Sequence, residues 1–310
     1  MKAVRIHAFG GVEQLKFEDA PRPVPAKGEV LVRVQAAGVN PVDWKAREGL
    51  LKSLAPTLPQ ILGYDVAGVV AELGPEVQGF KPGDAVFAYL ALARGGGYAE
   101  FAIAKVGELA LAPKKLSATD AAAVPLAALT AWQALVDTAK LESGQRVLVH
   151  GGAGGVGHFA VQIAKARGAY VYATAGEQNQ AFLRELGVDR PIDYTSERFE
   201  EIARDVDVVL DTVGGETATR SYATLKRGGC FVSIVGPPDA AALAERGAKG
   251  NAILVQPSGK QLAELAALID AGKLKPTVSA VLPLADVKRA HELSADGHVR
   301  GTLVLAVGGR

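Results

Sequence analysis

Cysteine is almost absent from this sequence. Its 310 residues include one cysteine, Cys230, one methionine and five histidines. One cysteine excludes an intramolecular disulfide and any metal site built from several thiolates. The histidines share no metal-ligand spacing: His7, His150, His158, His291 and His298. The composition therefore predicts neither a disulfide scaffold nor a bound metal.

The sequence also has no large excess of charge of either sign and no long apolar run. Thirty-four basic against thirty-three acidic side chains leave a net charge of +1, so a nucleic-acid partner is not expected. The first residues lack the apolar core of a secretory signal. The longest apolar stretch, residues 121–136, is too short to span a bilayer comfortably and contains Pro125. We interpret it as a buried helix and predict a cytoplasmic protein that does not enter a membrane.

The pattern of predicted secondary structure changes near residue 117, from short strands to helices and strands. The preceding part has short strand candidates at residues 2–6, 30–37 and 66–73, separated by proline and glycine clusters, which indicates an irregular barrel or sandwich. Ser117 is placed to cap a helix that runs through Trp132.

From Gln145 onward, short apolar strands alternate with helices, as in a doubly wound parallel sheet. Strand 252–256 is predicted to close that sheet. The expected domains are residues 1–117, residues 118–257, and a tail of residues 258–310 that returns to complete the first. The predicted fold class is α/β.

A glycine-rich loop is the strongest local signal. Residues 147–157, VLVHGGAGGVG, contain Gly-x-Gly-x-x-Gly between a predicted strand and a predicted helix. Glycine permits the tight turn and lets the backbone approach a pyrophosphate, to which the helix N-terminus presents unpaired N–H groups. The loop residues predicted to bind a dinucleotide are Gly152, Gly154, Gly155, Val156 and Gly157.

The end of the second strand of this sheet predicts which dinucleotide binds. An NAD-binding fold usually carries an acid there for the ribose 2′-hydroxyl, but this strand ends at Ala175 and Gly176. We therefore predict NADPH, while Glu177 leaves open an inward turn that would favour NADH. The predicted contacts to the 2′-phosphate region are Ala175, Gln178, Asn179 and Tyr194.

Several further motifs occur in a specific order along the whole chain. They are residues 36–44 (AAGVNPVDW), 62–68 (LGYDVAG), 95–100 (GGGYAE), 125–132 (PLAALTAW), the glycine loop, and 211–215 (DTVGG). In these motifs the chain resembles the zinc-free quinone oxidoreductases of the medium-chain dehydrogenase/reductase superfamily. The resemblance implies a GroES-like β-barrel catalytic domain, split in sequence around a Rossmann doubly wound parallel sheet.

The chain departs from the related zinc alcohol dehydrogenases at the metal ligands. Asn40 replaces a cysteine, Tyr64-Asp65 replaces His-Glu, and the third ligand position falls near Leu126. A quinone or enone is activated by conjugation and needs a hydrogen bond at the developing oxyanion rather than a metal. We therefore predict hydride transfer to quinones or α,β-unsaturated carbonyls. Tyr64 and Asn40 are the predicted donors, to the oxyanion or to the nicotinamide ribose, and Asp43 and Asp65 are predicted to orient them.

Strand ends and the resemblance together indicate the remaining cofactor contacts. These are Thr130, Val213, Gly214, Val235, Gly236 and Arg300, although Arg300 could equally lie in a solvated turn. The resemblance also implies a homodimer in which two copies of strand 252–256 join their edges.

Two other functions stay open at this point. The first is a non-catalytic redox sensor that binds NADPH, because a fold alone does not determine function. The second is a reductase or dehydrogenase that acts on enoyl thioesters or alcohols. No extended basic patch for a CoA nucleotide is visible, which disfavours the thioester.

Overall fold

A computed structural model describes residues 1–54 and 58–308 of the chain. Two compact units are formed: unit 1 comprises Met1–Leu129 together with Gln256–Arg310, and unit 2 comprises Thr130–Val255. The predicted divisions lay after residues 117 and 257. The assignment of a catalytic and a dinucleotide-binding role to the two parts stays a prediction.

Strands occur throughout the described residues. In chain order they are β1 (Lys2–Ile6), β2 (Lys16–Asp19), β3 (Glu29–Val39), β4 (Gln60–Ile61), β5 (Asp65–Leu73), β6 (Ala85–Tyr89), β7 (Phe101–Lys105), β8 (Leu109–Leu111), β9 (Arg146–Val149), β10 (Tyr170–Ala175), β11 (Arg190–Asp193), β12 (Val206–Asp211), β13 (Leu225–Ser233), β14 (Lys249–Ala252), β15 (Val278–Pro283) and β16 (Thr302–Ala306).

The helices have between four and twelve residues. They are α1 (Pro41–Arg47), α2 (Ala118–Ala122), α3 (Pro125–Trp132), α4 (Gly155–Ala166), α5 (Gln180–Glu185), α6 (Phe199–Ile202), α7 (Gly215–Ser221), α8 (Ala240–Glu245), α9 (Gly259–Asp270) and α10 (Val287–Ala295). Among the described residues, no helix has the length and apolar character needed to cross a membrane.

Strand β3 organises unit 1. Its side chains alternate in the middle of the strand, with Val32 and Val34 buried and Arg33 and Gln35 exposed, as expected for one face packed on a core. It pairs with β5 along one edge and shares its other edge between β7 and β16. The seven-stranded mixed sheet has the order β15-β16-β3-β5-β6-β8, and its seventh strand, β7, pairs with β3 beside this path. A smaller sheet has the order β2-β1-β4. The last residues of β3 therefore lie between two partners and lead directly into α1.

Unit 2 is built around a six-stranded parallel sheet with the order β11-β10-β9-β12-β13-β14. Counted from β9, this is the order 3-2-1-4-5-6 of a doubly wound dinucleotide-binding fold, whose ligands lie at the carboxyl ends of the central strands. All six residues of β12, with the sequence VDVVLD, are buried, as expected for a central strand covered on both faces. The predicted α/β class with a parallel doubly wound sheet is confirmed.

Two sequence predictions are wrong in this part of the chain. The apolar stretch 121–136 is not one helix: α2 ends at Ala122 and α3 begins at Pro125, because proline lacks an N–H and is favoured at the first helical position. The last sheet strand is not 252–256 but Lys249–Ala252, and its register is set by backbone pairing with β13. Strand β11 was also missed because its sequence, RPID, has no apolar run. It lies at the sheet edge, where proline is tolerated.

Candidate active site

Asn40 lies at the junction between β3 and α1. Its backbone is extended, with φ −124° and ψ 159°, and Pro41 begins the helix. The Asn40 backbone N–H donates to Asp43 Oδ2 at 2.7 Å. Asn40 is 4% exposed and Asp43 is 0% exposed. Two of the predicted catalytic residues are therefore held inside unit 1 by a hydrogen bond that closes the first helical turn.

Asp65, the first residue of β5, connects Asn40 and Leu126, two of the three positions that were matched to zinc ligands in the sequence analysis; the third, Tyr64, precedes Asp65 in the chain. Its Oδ2 accepts a hydrogen bond from Asn40 Nδ2 at 2.8 Å, and its Oδ1 accepts one from the Leu126 backbone N–H at 2.9 Å. Both carboxylate oxygens therefore have donors. Nowhere in the described part of the chain do three or more His, Cys, Asp or Glu side chains form a group that could hold a metal ion.

Burial changes the ionisation of both carboxyl groups in this cluster. It raises the pKa of Asp43 to about 7, against the opposing effect of the hydrogen bond from the Asn40 N–H. Burial also raises the pKa of Asp65 well above its ordinary value, opposed by its hydrogen bonds from Asn40 and Leu126, while the charge of Asp43 raises it further. A proton is therefore retained on this pair at pH values where exposed aspartates have lost theirs.

The buried Tyr98 hydroxyl lies beside Asp43. Hydrogen bonding from Tyr98 and from the Gly63 backbone opposes the rise in the Asp43 pKa, although Asp43 Oδ1 and the Tyr98 hydroxyl form no hydrogen bond of ordinary geometry within the described structure. Burial raises the pKa of Tyr98 well above its ordinary value, and the nearby charge of Asp43 raises it further. Buried polar atoms without partners are uncommon and often mark a place for water or a ligand. Tyr98 was not predicted as a site residue, although it ends the Gly-Gly-Gly-Tyr motif.

Tyr64 is buried between β4 and β5, with 1% of its surface exposed. Burial raises the pKa of its phenol well above the ordinary value, the charge of Asp43 raises it further, and the Gln60 side chain opposes this shift. The hydroxyl therefore keeps its proton near neutral pH and can act as a hydrogen-bond donor. Its predicted role toward the substrate oxygen stays a prediction.

The glycine-rich loop runs from the end of β9 to the start of α4. Gly151 has a φ of +62°, a conformation that favours glycine. A Cβ atom on Gly157 would lie 2.1 Å from the Gly151 carbonyl oxygen, and one on Gly152 would lie 2.8 Å from Ala173 Cβ. The loop, the first turn of α4 and β10 are therefore packed so closely that glycine is required at these positions.

The start of α4 fits the pyrophosphate of a dinucleotide. The helix has twelve residues, and its N-cap, Gly154, contributes no capping side chain. Its first N–H groups and the partial positive charge of the helix end are suited to an anion. The predicted loop residues all lie at this place: Gly152, Gly154, Gly155, Val156 and Gly157.

The carboxyl ends of β10 and β11 lie next to each other. The Tyr194 N–H, just after β11, donates to the carbonyl oxygen of Ala175, the last residue of β10, at 3.3 Å. Ala175 is 4% exposed and Tyr194 is 59% exposed. A short turn, Glu177–Asn179, follows Gly176 and contains Gln178. The structure thus brings together the four residues that were predicted to surround the adenosine ribose.

Asp211 shapes the loops after β12 and β13. Its Oδ1 accepts hydrogen bonds from the backbone N–H groups of Val213 at 3.0 Å and Gly214 at 2.8 Å, and its Oδ2 accepts one from Ser233 Oγ at 3.0 Å. The Val235 N–H donates to the same Ser233 Oγ at 3.2 Å. Asp211 therefore holds three of the predicted contacts, Val213, Gly214 and Val235, at one end of the sheet, with Gly236 following Val235.

The last two predicted contacts lie elsewhere. Thr130 is on α3 and 4% exposed. Arg300 is exposed, between α10 and β16 in unit 1. The cofactor roles of both residues stay predictions.

The chain matches two family models. The model described as an alcohol dehydrogenase GroES-like domain matches residues 26–114. The model described as a zinc-binding dehydrogenase matches residues 186–305. Together they cover parts of both units.

Named relatives match nearly the whole chain. The chloroplast envelope quinone oxidoreductase homolog of Arabidopsis thaliana is 34% identical, covering 98% of this chain and 98% of that protein. The NADPH-dependent alkenal/one oxidoreductase of the same plant is 36% identical, covering 98% of this chain and 79% of that protein. The solved quinone oxidoreductase from Coxiella burnetii is 38% identical with a TM-score of 0.92, and 99% of each chain is covered.

A GroES-like unit and a doubly wound sheet with a glycine-rich loop define an oxidoreductase that uses a nicotinamide cofactor. The chain belongs to the quinone oxidoreductase family of the medium-chain dehydrogenase/reductase superfamily. The predicted family and its two-part fold are confirmed.

Proposed function

We propose that this protein is an NADPH-dependent reductase that transfers hydride to quinones or α,β-unsaturated carbonyls without a catalytic metal. The observation that carries the proposal is that Asp65 bonds to Asn40 and Leu126, which together with Tyr64 stand at the positions expected for zinc ligands. The names of the relatives support the same acceptors, because they include quinone and alkenal/one oxidoreductases.

The choice of acceptor follows from the absence of ligands at those positions. An unactivated ketone or alcohol needs strong stabilisation of an alkoxide, which zinc can supply. A quinone or enone spreads the developing charge by conjugation, so hydrogen-bond donors are sufficient. The description of one family model names zinc, but Asn40 and Leu126 offer no thiolate or imidazole to bind it.

Three residues of unit 1 have distinct roles in this proposal: Tyr64, Asn40 and Asp43. Bound NADPH would supply the hydride. Tyr64, which keeps its proton, donates a hydrogen bond to the substrate oxygen as negative charge develops there. Asn40 holds the nicotinamide ribose, and Asp43 orients Asn40 through their 2.7 Å hydrogen bond.

The preference for NADPH rests on the end of β10. Ala175 presents no carboxylate that would repel a 2′-phosphate, and the neighbouring Tyr194 is exposed. Gln178 and Asn179 would bind the phosphate through neutral hydrogen bonds. Because no formal charge is offered there, the expected preference over NADH is modest.

The proposed homodimer uses the corrected edge strand. Strand β14 pairs with β13 and ends the six-stranded sheet, so two copies could pair through their free edges and form one continuous sheet. Sedimentation at micromolar concentration should show a dimer, and a monomer would contradict this arrangement. The cytoplasmic location of the protein also stays a prediction.

An acceptor screen tests the function directly. Protein dialysed against a chelator would be assayed for oxidation of NADPH and NADH with quinones, alkenals and alcohols, and its zinc content measured by elemental analysis. We expect turnover with quinones and alkenals and no stoichiometric zinc. A bound zinc whose removal abolishes turnover would contradict the mechanism, and NADPH binding without turnover on any acceptor would favour the redox sensor.

A further inference from the structure

A chain of hydrogen bonds runs through the interior of unit 2 next to the glycine-rich loop. It joins the Gly151 N–H to three side chains that are not among the predicted cofactor contacts: Thr174, His150 and Ser221. All three are buried, with at most 3% of their surface exposed. The distances are 3.3 Å from Gly151 N to Thr174 Oγ1, 3.1 Å from Thr174 Oγ1 to His150 Nδ1, 2.8 Å from His150 Nε2 to Ser221 Oγ, and 2.6 Å from Ser221 Oγ to the Thr217 carbonyl oxygen.

The chemistry of the groups determines the direction of every bond. The Thr217 carbonyl can only accept, so the Ser221 hydroxyl donates to it and accepts from His150 Nε2–H. His150 Nδ1 is then an acceptor, which the Thr174 hydroxyl satisfies, and the Thr174 oxygen accepts from the Gly151 N–H. Burial keeps the imidazole neutral because it lowers the pKa of His150 to about 4; the charge of Asp211 opposes this shift and that of Arg220 adds to it.

This arrangement is not a nucleophilic site, although it contains a serine beside a histidine. The Ser221 hydroxyl donates its proton to the Thr217 carbonyl oxygen at 2.6 Å, whereas a nucleophilic serine would donate it to the histidine. The ring of His150 packs edge-on against Phe199 with centroids 4.7 Å apart. These side chains therefore stabilise the local structure and do not form a catalytic site.

The Gly151 peptide is the group that they hold. Its carbonyl oxygen accepts from the Gly154 N–H at 2.9 Å and is the atom that a Cβ on Gly157 would approach to 2.1 Å. The position of this peptide therefore determines where the first turn of α4 begins. A second tie comes from β12, because Thr212 Oγ1 donates to the His150 carbonyl oxygen at 2.8 Å.

We infer that His150, together with Thr174 and Ser221, is a positioning residue for the dinucleotide, holding the Gly151 peptide so that the start of α4 can receive the pyrophosphate. None of the three touches the cofactor in this account. The role rests on the proposed function of the loop, and it is the same for NADPH and NADH.

A matched pair of isosteric variants separates positioning from general stability. Thr174→Val removes the hydroxyl that bonds Gly151. Thr224→Val removes an equally buried hydroxyl, whose hydrogen bond goes to the Ser221 carbonyl oxygen, at 2.7 Å, and not to the loop. We expect Thr174→Val to raise the dissociation constant of NADPH about tenfold, as for the loss of one buried hydrogen bond, while kcat at saturating NADPH and the KM for quinone stay unchanged. Thr224→Val should lower the melting temperature similarly and leave the affinity unchanged.

Variants of His150 and a spectroscopic measurement complete the test. His150→Asn retains an acceptor for Thr174 and should bind NADPH more tightly than His150→Leu, which has none. In the wild type, ¹⁵N NMR should find the proton of His150 on Nε2; a proton on Nδ1 would overturn the inferred direction of the chain. If the wild type binds neither dinucleotide, the proposed function is overturned together with this role. If the wild type binds NADPH and Thr174→Val binds it as tightly as Thr224→Val does, only the positioning role is overturned.

Discussion

Replacing Asp43 by asparagine should change how the stability of the protein depends on pH. Asp43 is fully buried, its Oδ2 accepts from the Asn40 N–H at 2.7 Å, and the Tyr98 hydroxyl lies beside it. An asparagine can accept the bond from Asn40 with its oxygen and donate from its amide nitrogen to the Tyr98 hydroxyl. The substitution therefore removes an ionisable group with little change in packing.

The magnitude follows from the shift in the pKa of Asp43, from 3.8 to about 7. Between these values the folded protein keeps a proton that the unfolded chain has lost, so this group's contribution to stability is fully present below about pH 4 and is lost as the pH rises to 7. At about 1.4 kcal/mol for each pKa unit, the total loss is about 4 kcal/mol. Asp43→Asn, which has nothing to ionise, avoids this loss.

Denaturant unfolding of both proteins between pH 5 and 8 measures the effect. The advantage of Asp43→Asn over wild type should grow by roughly 2–3 kcal/mol from pH 5 to 7 and then level off. The raised pKa of Asp65 acts in the same direction in both proteins, but the part of it that comes from the Asp43 charge is lost in the variant, which enlarges the variant's advantage. Parallel stability curves would refute the reasoning, because they would mean that the folded protein tolerates the Asp43 charge as well as water does.

Asp65→Asn is the matched comparison. Both oxygens of Asp65 accept hydrogen bonds, from Asn40 Nδ2 and from the Leu126 N–H. In the Asp65→Asn variant an amide nitrogen replaces one of these two oxygens. It faces a donor and cannot accept the hydrogen bond, which costs about 1–3 kcal/mol. Asp65→Asn should therefore be less stable than wild type at pH 5, where Asp43→Asn is not destabilised.

Three further substitutions test the cofactor site and the chemistry. Gly157→Ala should lower stability by about 1–3 kcal/mol and weaken NADPH binding, because its Cβ meets the loop backbone; thermal unfolding and NADPH titration would check this against Gly107→Ala, whose Cβ meets nothing within 4 Å. Ala175→Asp should reverse the preference for NADPH in steady-state kinetics by repelling the 2′-phosphate, and a wild type that uses NADH better would indicate that Glu177 binds the ribose. Tyr64→Phe should lower single-turnover hydride transfer to an enone on the order of a hundredfold and to a quinone much less, whereas equal losses would indicate a packing role.

Features that depend on neighbouring residues could be predicted from the sequence. The glycine pattern after an apolar strand predicted the cofactor loop, and the structure shows why glycine is needed at Gly152 and Gly157. Alternating strands and helices predicted the parallel sheet of unit 2. The edge strand β14 was misplaced because its KGNA sequence carries no apolar signal, and its pairing with β13 decides where it lies.

Only the tertiary structure decided which distant residues meet and how they ionise. Asp65 is separated by 25 residues from Asn40 and by 61 from Leu126, yet it bonds to both. The raised pKa of Asp43 and the neutral His150 both result from burial, which depends on how whole elements pack. Local patterns determine strands, turns and helix starts through short-range sterics and periodicity, whereas the solvation of a side chain and its partners are properties of the folded chain.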